Sequence, residues 1–452
     1  MLLHLAGAID VAGQGLVRSL QLAMGLGILA SVFLLAARLA GVIAGVTAFV
    51  LLALYAPVSF QETKLLDTTL GLFTSMSALL LLERNLRTRT ATGAHFAGGV
   101  CFGIAALARP VNLLIALAFA PVVMRQGKAS ACVFLVGVGA ALAPITLYNF
   151  RGSGDVVLIN YSEGHSLLVG NNPNAHGMYN LPPGYPDGVL NERAVEQQIA
   201  AQRLGRRASP NEQRGVSMSD ALEYMMQHPG ELPRLLGDKL RFATTAYEVD
   251  DNYSIHRERE RLGLLRPHVV PFALLLALAL PAFLLNTWRR RWLPALPLLT
   301  TLASLLVFYT NIRYRLPAAP LLAVAAGVTL SQIRHATRAR QLAALVVAGA
   351  CFSVSTWMPL PYPRAELERS SQQFDVILDL HAAGTLLPRG ESRAAAGALS
   401  DAWRNGEARA LVEAWIEAAL ADLSASERAA FLAEFRDAAE TDPQLRAVLD
   451  GT

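Results

Sequence analysis

Ten hydrophobic runs of membrane-spanning length, most of them separated by short loops, constrain this chain of 452 residues more than any other feature. Lipid offers no hydrogen-bond partners to a bare backbone, so each run is expected to fold as an α-helix. The pattern therefore predicts an all-α polytopic membrane protein. The predicted spans cover about residues 18–37, 41–58, 65–82, 94–108, 110–124, 129–148, 268–287, 292–309, 316–333 and 340–358.

The hydrophobic runs divide the chain into four segments. An N-terminal transmembrane bundle of six spans (1–148) precedes an external loop region (149–266), and a C-terminal bundle of four spans (267–358) follows it. The last segment (359–452) is rich in Ala, Glu and Arg, and its apolar positions recur at helical spacing. We predict a soluble, acidic, helical tail there.

Basic residues fall in alternate loops, which predicts the orientation of the chain. Short cytoplasmic loops carry an excess of Lys and Arg, so the loops after odd-numbered spans are assigned to the cytoplasm. The long external loop, the tail and both termini then lie on the outer face of a bacterial inner membrane. The residues that carry the pattern are Arg38, Arg84, Arg87, Arg89, Arg125, Lys128, Arg289, Arg290, Arg291, Arg334, Arg338 and Arg340.

Composition argues against two other classes of protein. A net charge of +4 would suit nucleic-acid binding, but many arginines lie in short inter-helix loops, so we exclude a nucleic-acid partner. The three cysteines, Cys101, Cys132 and Cys351, lie within apolar runs and offer neither a disulfide framework nor metal-ligand spacing. Walker, zinc-protease, nucleophile-elbow and dinucleotide motifs are absent from the sequence.

Two acids at the outer mouth of the third span are candidates for chemistry. Glu62 and Asp67 flank Lys64 in a short outward loop. Acids near membrane depth are costly and are usually retained for a partner, an ion or a reaction. A spacing of five residues does not place them on one helix face, so they converge only if Glu62 precedes the helix. The alternative is that both acids favour a helix N-terminus electrostatically.

Outward arginines are the second unusual feature. Arg313 and Arg315 lie in a short external loop, and Arg109 lies at the outer tip of a tight helical hairpin formed by spans four and five. The planar guanidinium pairs well with phosphate oxygens, so a lipid-linked phosphate is the predicted partner. Snorkelling of these side chains beside Tyr314 is the alternative.

The external loop region contains two further patterns. Leu235–Phe242 predict an amphipathic helix that lies on the membrane surface. We interpret the acids of the stretch Tyr247–Asn252 as a solvated surface run.

These stretches resemble the GT-C class of integral-membrane glycosyltransferases, in the bacterial branch related to protein O-mannosyltransferases and lipid A aminoarabinose transferases. The resemblance extends over most of residues 16–333 and does not include the tail. It rests on short stretches whose order and spacing are fairly specific: Phe60–Asp67, Ala106–Pro110, Tyr148–Asp155, Gly170–Pro173, His228–Lys239, Tyr247–Asn252 and Arg313–Pro317.

The resemblance implies a GT-C-like helix bundle that transfers a hexose or pentose from a polyprenyl-phosphate donor. The acceptor is a lipid, a glycan or a protein, and the reaction usually proceeds with inversion. In this interpretation Glu62 and Asp67 are the catalytic acids of the second external loop, and Arg313, Arg315 and Arg109 bind the donor phosphate. Relatives differ in their use of a divalent cation, so that cofactor is left open.

One departure from the family opens a second hypothesis. The family's first acidic motif lies between its first two spans, whereas this sequence starts later, and only Asp10 precedes its first hydrophobic run. We expect the recorded start to omit a first helix. The alternative function is a catalytically inactive scaffold or a transporter-like protein that lacks this acidic motif.

Overall fold

In the computed structural model of the protein, the described part of the chain folds into α-helices joined by turns and irregular segments. Within that part it contains 21 α-helices and no β-strand, which confirms the predicted all-α class for those residues. Asp10, Arg89 and Arg289–Arg291 lie outside the described residues. The described residues are 11–88, 92–185, 192–251, 253–261, 269–284, 292–360, 376, 379–380, 382–384, 386–405 and 409–450.

The chain divides into two compact units. The first contains Met1–Val249 and Leu265–Pro361, and the second contains Asp250–Leu264 and Tyr362–Thr452. The first unit thus combines both predicted transmembrane bundles with most of the predicted external region.

Seven helices lie at the positions of the first six predicted spans. The turn between the fifth and sixth helices holds Arg109 and Pro110, where the predicted hairpin turns. The helices are α1 (Val11–Ala40), α2 (Val42–Ala53), α3 (Ala56–Glu62), α4 (Thr68–Thr88), α5 (Thr92–Ala108), α6 (Val111–Met124) and α7 (Lys128–Ser153).

In its described residues, the rest of the first unit contains four α-helices from the predicted external region and five from the C-terminal bundle. The external helices are α8 (Glu163–Gly170), α9 (Glu192–Leu204), α10 (Pro210–Gln227) and α11 (Leu232–Thr244). In the second unit, α12 (Ile255–Arg261) comes next along the chain. The C-terminal bundle contains α13 (Phe272–Leu284), α14 (Trp292–Val307), α15 (Ile312–Arg315), α16 (Ala318–Gln332) and α17 (Arg338–Trp357).

Three helices of the described chain are long and apolar enough to cross a membrane. They are Gly15–Ala40 within α1, Lys128–Ser153 and Arg338–Trp357, and a fourth crossing results if α2 and α3 form one span. Those two helices meet at a bend of 64°. Pro57 lies in the first turn of α3, where its missing N–H is tolerated. The further predicted crossings stay predictions.

Small residues let the bundle helices approach closely. Thirteen of the 15 residues of α16 are buried. A methyl group added to Gly327 of this helix would lie 2.3 Å from the Ala44 carbonyl oxygen of α2. Helices in membranes commonly pack through such small residues, because these let two backbones come into contact.

The second unit forms its own hydrophobic core. The 3₁₀ helix Leu387–Arg389 precedes four helices, and the buried side chains of Trp403, Phe431 and Phe435 lie at their centre. The predicted helical character of the tail is confirmed in its described residues. The four helices are α18 (Ser392–Asn405), α19 (Arg409–Asp422), α20 (Ala425–Thr441) and α21 (Pro443–Asp450).

Candidate functional site

Three residues from three separate connections between predicted spans meet at one point. The Asp67 carboxylate oxygen Oδ1 lies 3.4 Å from Nη2 of Arg109 and 3.6 Å from Nη2 of Arg313. Arg109 also donates a 3.1 Å hydrogen bond to the Thr68 hydroxyl, and its guanidinium carbon lies 5.4 Å from the centre of the Tyr314 ring. We call Asp67, Arg109 and Arg313 the arginine site.

Local hydrogen bonds fix the segment that carries Asp67. The buried Gln21 amide donates to the carbonyl oxygens of Lys64 at 2.6 Å and Leu66 at 3.0 Å. The Asp67 carbonyl in turn accepts a bond from the Gly71 amide, within the first turn of α4. The backbone of Asp67 is therefore held at a helix N-terminus.

A capped turn of helix places Arg313. The Asn311 side chain accepts a 2.8 Å bond from the Tyr314 amide, as an N-cap residue does. The Ile312 amide donates to the Val249 carbonyl at 2.7 Å, which ties α15 to the segment after α11.

A narrow groove leads from the arginine site into the helix bundle. Its mouth is lined by polar side chains, including Thr68, Ser75 and Asn112 together with the two arginines. The inner part encloses a cavity of about 20 Å³, and most of its lining is apolar. The inner lining includes Leu72, Met76, Leu79, Phe102, Ile115 and Leu321. A ligand with an anionic head and an apolar tail matches this gradient.

The polar residues of the groove were not among the predicted site residues. Thr68 and Ser75 are seven residues apart and lie on one face of α4. The Ser75 hydroxyl donates a 3.0 Å bond to the side-chain oxygen of Asn112. Polar residues at helical spacing inside an otherwise apolar span are the signal that could have identified this face.

The contacts of Glu62 differ from those of the arginine site. Glu62 is the last residue of α3 and is followed by a bent segment that leads to Asp67. Its carboxylate lies against α1, since a methyl group added to Gly25 would lie 2.1 Å from Oε1. No ion pair involves Glu62 in the part of the chain that the structure describes.

Arg315 belongs to a different, buried cluster. Its guanidinium forms an ion pair with Glu248 and donates to the carbonyl oxygens of Thr245 at 2.8 Å and Tyr247 at 2.9 Å. Glu248 also accepts a 3.0 Å bond from the Tyr55 hydroxyl. Because Arg315 is only 1% exposed and surrounded by protein acceptors, the structure does not bring it together with Arg109 and Arg313.

The burial of Glu248 corrects one interpretation of the sequence. We expected the acids of Tyr247–Asn252 to be solvated, but Glu248 is 8% exposed and Val249 is 1% exposed. The interpretation was wrong for Glu248, because the partner that makes its burial tolerable, Arg315, is 67 residues away in sequence.

The external helices contain a second buried cation. Lys239 on α11 donates 2.8 and 3.3 Å bonds to the Asn171 side chain and the Val307 carbonyl. Burial lowers the pKa of Lys239 from 10.5 to about 8. The predicted helix is confirmed as α11, whose other face exposes Leu236 and Leu240, while its location on the membrane surface stays a prediction.

Metal binding gains no support from the described side chains. Among them, no group of three or more His, Cys, Asp or Glu residues is placed to hold an ion. A divalent cation as cofactor therefore stays an open question for this chain.

Comparison of the chain with protein-family models, with curated proteins and with solved structures found no match.

Proposed function

We propose that this protein is a membrane glycosyltransferase that uses a polyprenyl-phosphate sugar donor at the outer face of the membrane. The acceptor is a lipid, a glycan or a protein. The observation that carries the proposal is the meeting of Arg109 and Arg313 at the mouth of a groove with an apolar interior.

The arginine site suits the leaving group of such a reaction. The acceptor oxygen attacks the anomeric carbon, and the bond from this carbon to the phosphate oxygen breaks. The phosphate keeps the electron pair, and the two guanidiniums stabilise the charge that develops on it. The isoprene units of the donor would follow the apolar side chains of the groove, which would have to move apart, because its inner cavity of about 20 Å³ holds little more than one water molecule.

Glu62 is the proposed acceptor of the proton that the attacking hydroxyl loses. It is a half-buried acid at the end of α3, in the same loop region as Asp67. A general base must come within hydrogen-bond reach of the proton, and this reach is often completed only when substrate binds. Arg315 is assigned a structural role in place of its predicted contact with phosphate.

Release of polyprenyl phosphate from a panel of lipid-linked sugars, with the protein in lipid nanodiscs, tests this proposal. We expect release by the wild type and a rate about 100-fold lower for Arg313→Gln, because one charge-stabilising donor is lost. Arg241→Gln is the matched control, since the Arg241 side chain is 41% exposed on α11. It should keep the wild-type rate.

Two results would contradict the proposal in different ways. No release by the wild type with any donor would favour a non-catalytic membrane scaffold or a transporter-like protein. Release that is unchanged by Arg313→Gln would move the donor phosphate away from the arginine site.

A further inference from the structure

The Glu62 carboxylate fills a gap in the surface of α1 that exists because residue 25 is a glycine. A methyl group added to Gly25 would lie 2.1 Å from Oε1, 2.3 Å from Cδ and 2.7 Å from Oε2 of Glu62. Ordinary van der Waals contact needs 3.4–4 Å, so a larger residue at this position leaves no room for the carboxylate. We call this gap the Gly25 notch.

The same face of α1 also holds the backbone that follows Glu62. Gln21 precedes Gly25 by four residues, which places both on one side of the helix. The buried Gln21 amide donates to the carbonyl oxygens of Lys64 at 2.6 Å and Leu66 at 3.0 Å. One helix face therefore fixes both the side chain of Glu62 and the segment after it.

The Gly25 notch confines the Glu62 carboxylate by shape and not by hydrogen bonding. Gly25 lies inside α1, so its amide N–H is used by the helix's own backbone bond to the carbonyl four residues earlier. Contact with the notch therefore supplies no donor to the carboxylate. An ionised carboxylate that is confined in this way can still accept a hydrogen bond from a substrate hydroxyl.

We propose that Gly25 is a positioning residue, which holds the Glu62 carboxylate where it takes the proton of the acceptor hydroxyl. This inference rests on the proposed function, in which Glu62 is the general base. A glutamate side chain has several torsions, each with staggered alternatives, so the backbone alone does not fix its carboxylate. Misplacement of a catalytic group by about 1 Å can lower a rate about 100-fold, so the confinement matters for the reaction.

Gly25→Ala, measured by release of polyprenyl phosphate in nanodiscs, tests this role. The added methyl group displaces the carboxylate by about 1 Å or more, so we expect a maximal rate about 100-fold lower. The donor concentration that gives half of this rate should stay unchanged, because Glu62 does not bind the donor phosphate. The variant should unfold at the wild-type temperature or above it, since the end of a flexible side chain can give way and alanine favours a helix.

Gly15→Ala is the matched control. It makes the same substitution in α1, and nothing lies within 4 Å of its added methyl group. It should keep the wild-type rate. An equal loss of rate in this control would overturn the proposal, because it would reflect a general sensitivity of α1.

A double-mutant cycle with Glu62→Gln shows whether Gly25 acts through Glu62. Glu62→Gln alone should lower the rate about 100-fold or more, as loss of a general base does. Gly25→Ala should then cause no further loss in this background, because no base remains to be displaced. The same loss with and without Glu62 would overturn the positioning role.

Glu62→Asp is a second test, which also decides the matter if Gly25→Ala does not fold. It keeps the carboxylate on a side chain that is one methylene shorter and does not reach the Gly25 notch. We expect its maximal rate to fall about 100-fold as well. A wild-type rate for Glu62→Asp would show that the notch is not needed and would overturn the proposal.

The outcomes separate this inference from the proposed function. Release by the wild type that is unchanged in Gly25→Ala would overturn the positioning role and leave donor binding at the arginine site intact. No release by the wild type with any donor would contradict the proposed function itself, and the role of Gly25 would fall with it.

Discussion

Arg313 and Arg315 are two residues apart, yet they have different partners. Both lie on α15, and a helix turns by about 100° per residue, so side chains at this spacing point in nearly opposite directions. Arg313 therefore faces Asp67 and the groove, whereas Arg315 faces Glu248 inside the protein. Arg313 thus lines the groove mouth, and Arg315 holds the external segment after α11 to the bundle.

Replacement of the buried Glu248 should strongly destabilise the fold. Glu248→Gln leaves the Arg315 guanidinium without its counter-charge in the interior, which is expected to lower the free energy of unfolding by about 3–5 kcal/mol. Denaturant titration in detergent micelles measures this loss. Asp220→Asn breaks the more exposed pair with Arg203 and should cost at most about 1 kcal/mol. Equal losses for the two variants would contradict the buried role of Glu248.

The lowered pKa of Lys239 predicts that the free energy of unfolding rises at alkaline pH. Its pKa is about 8 in the folded protein and 10.5 in the reference state, so folding disfavours the charged form. Below pH 8 the lysine is charged in both states and the cost of burying the charge is fully present. Between pH 8 and 10.5 that cost disappears, and the gain approaches about 3 kcal/mol.

Comparison with Lys239→Met isolates this effect. The stability of the wild type should rise relative to the variant between pH 8 and 10.5, measured by thermal unfolding at a series of pH values. A difference between the two proteins that stays constant over this range would contradict the lowered pKa.

At the scale of elements, glycines decide how closely α5 and α7 pack. A methyl group added to Gly99 would lie 2.0 Å from the Phe134 carbonyl oxygen, and one added to Gly137 would lie 2.3 Å from that of Phe96. These distances are far below van der Waals contact. The hairpin of α5 and α6, which carries Arg109 at its tip, is thus held against α7 by backbone contact.

Gly99→Ala should separate these two helices and lower the free energy of unfolding by about 1–3 kcal/mol, because the added methyl group overpacks the contact. Gly139→Ala on α7 is the matched control, since nothing lies within 4 Å of its added methyl group. It should be neutral or stabilising by up to about 1 kcal/mol. A stable Gly99→Ala protein would show that the two helices do not depend on this contact.

The positions of these elements were largely predictable, because the helices follow long apolar runs. The break at Tyr55 between α2 and α3 was not predicted, since the run of apolar residues continues through it. The sequence also identified Arg109 as unusual, because it is an isolated arginine in an outward loop. The direction of the Arg315 side chain and the burial of Glu248 could not be predicted, since they depend on contacts between residues distant in sequence. Periodicity identifies a face of a helix and does not identify what lies opposite.

At the scale of the whole molecule, the arginine site draws on the loops after predicted spans two, four and eight. The alternation of basic residues assigns these three loops to the outer face. Their meeting in the first unit supports their location on one common side of the membrane, because loops on opposite sides could not supply one site. The orientation itself stays a prediction.

Labelling of introduced cysteines tests the orientation. In a chain whose three native cysteines are replaced by Ala, Ser153→Cys at the end of α7 should react with a membrane-impermeant maleimide in intact spheroplasts. Thr337→Cys, before α17, should react only after permeabilisation. The reverse pattern would place the arginine site in the cytoplasm.

The proposed function requires the arginine site to bind the phosphate of a polyprenyl lipid. An experimental structure of the protein in nanodiscs with undecaprenyl phosphate tests this binding. We expect the phosphate in contact with Arg109 and Arg313 and the first isoprene units along Leu72, Met76 and Leu79. A lipid phosphate bound elsewhere, with the contacts of Asp67 to both arginines intact, would contradict this binding site.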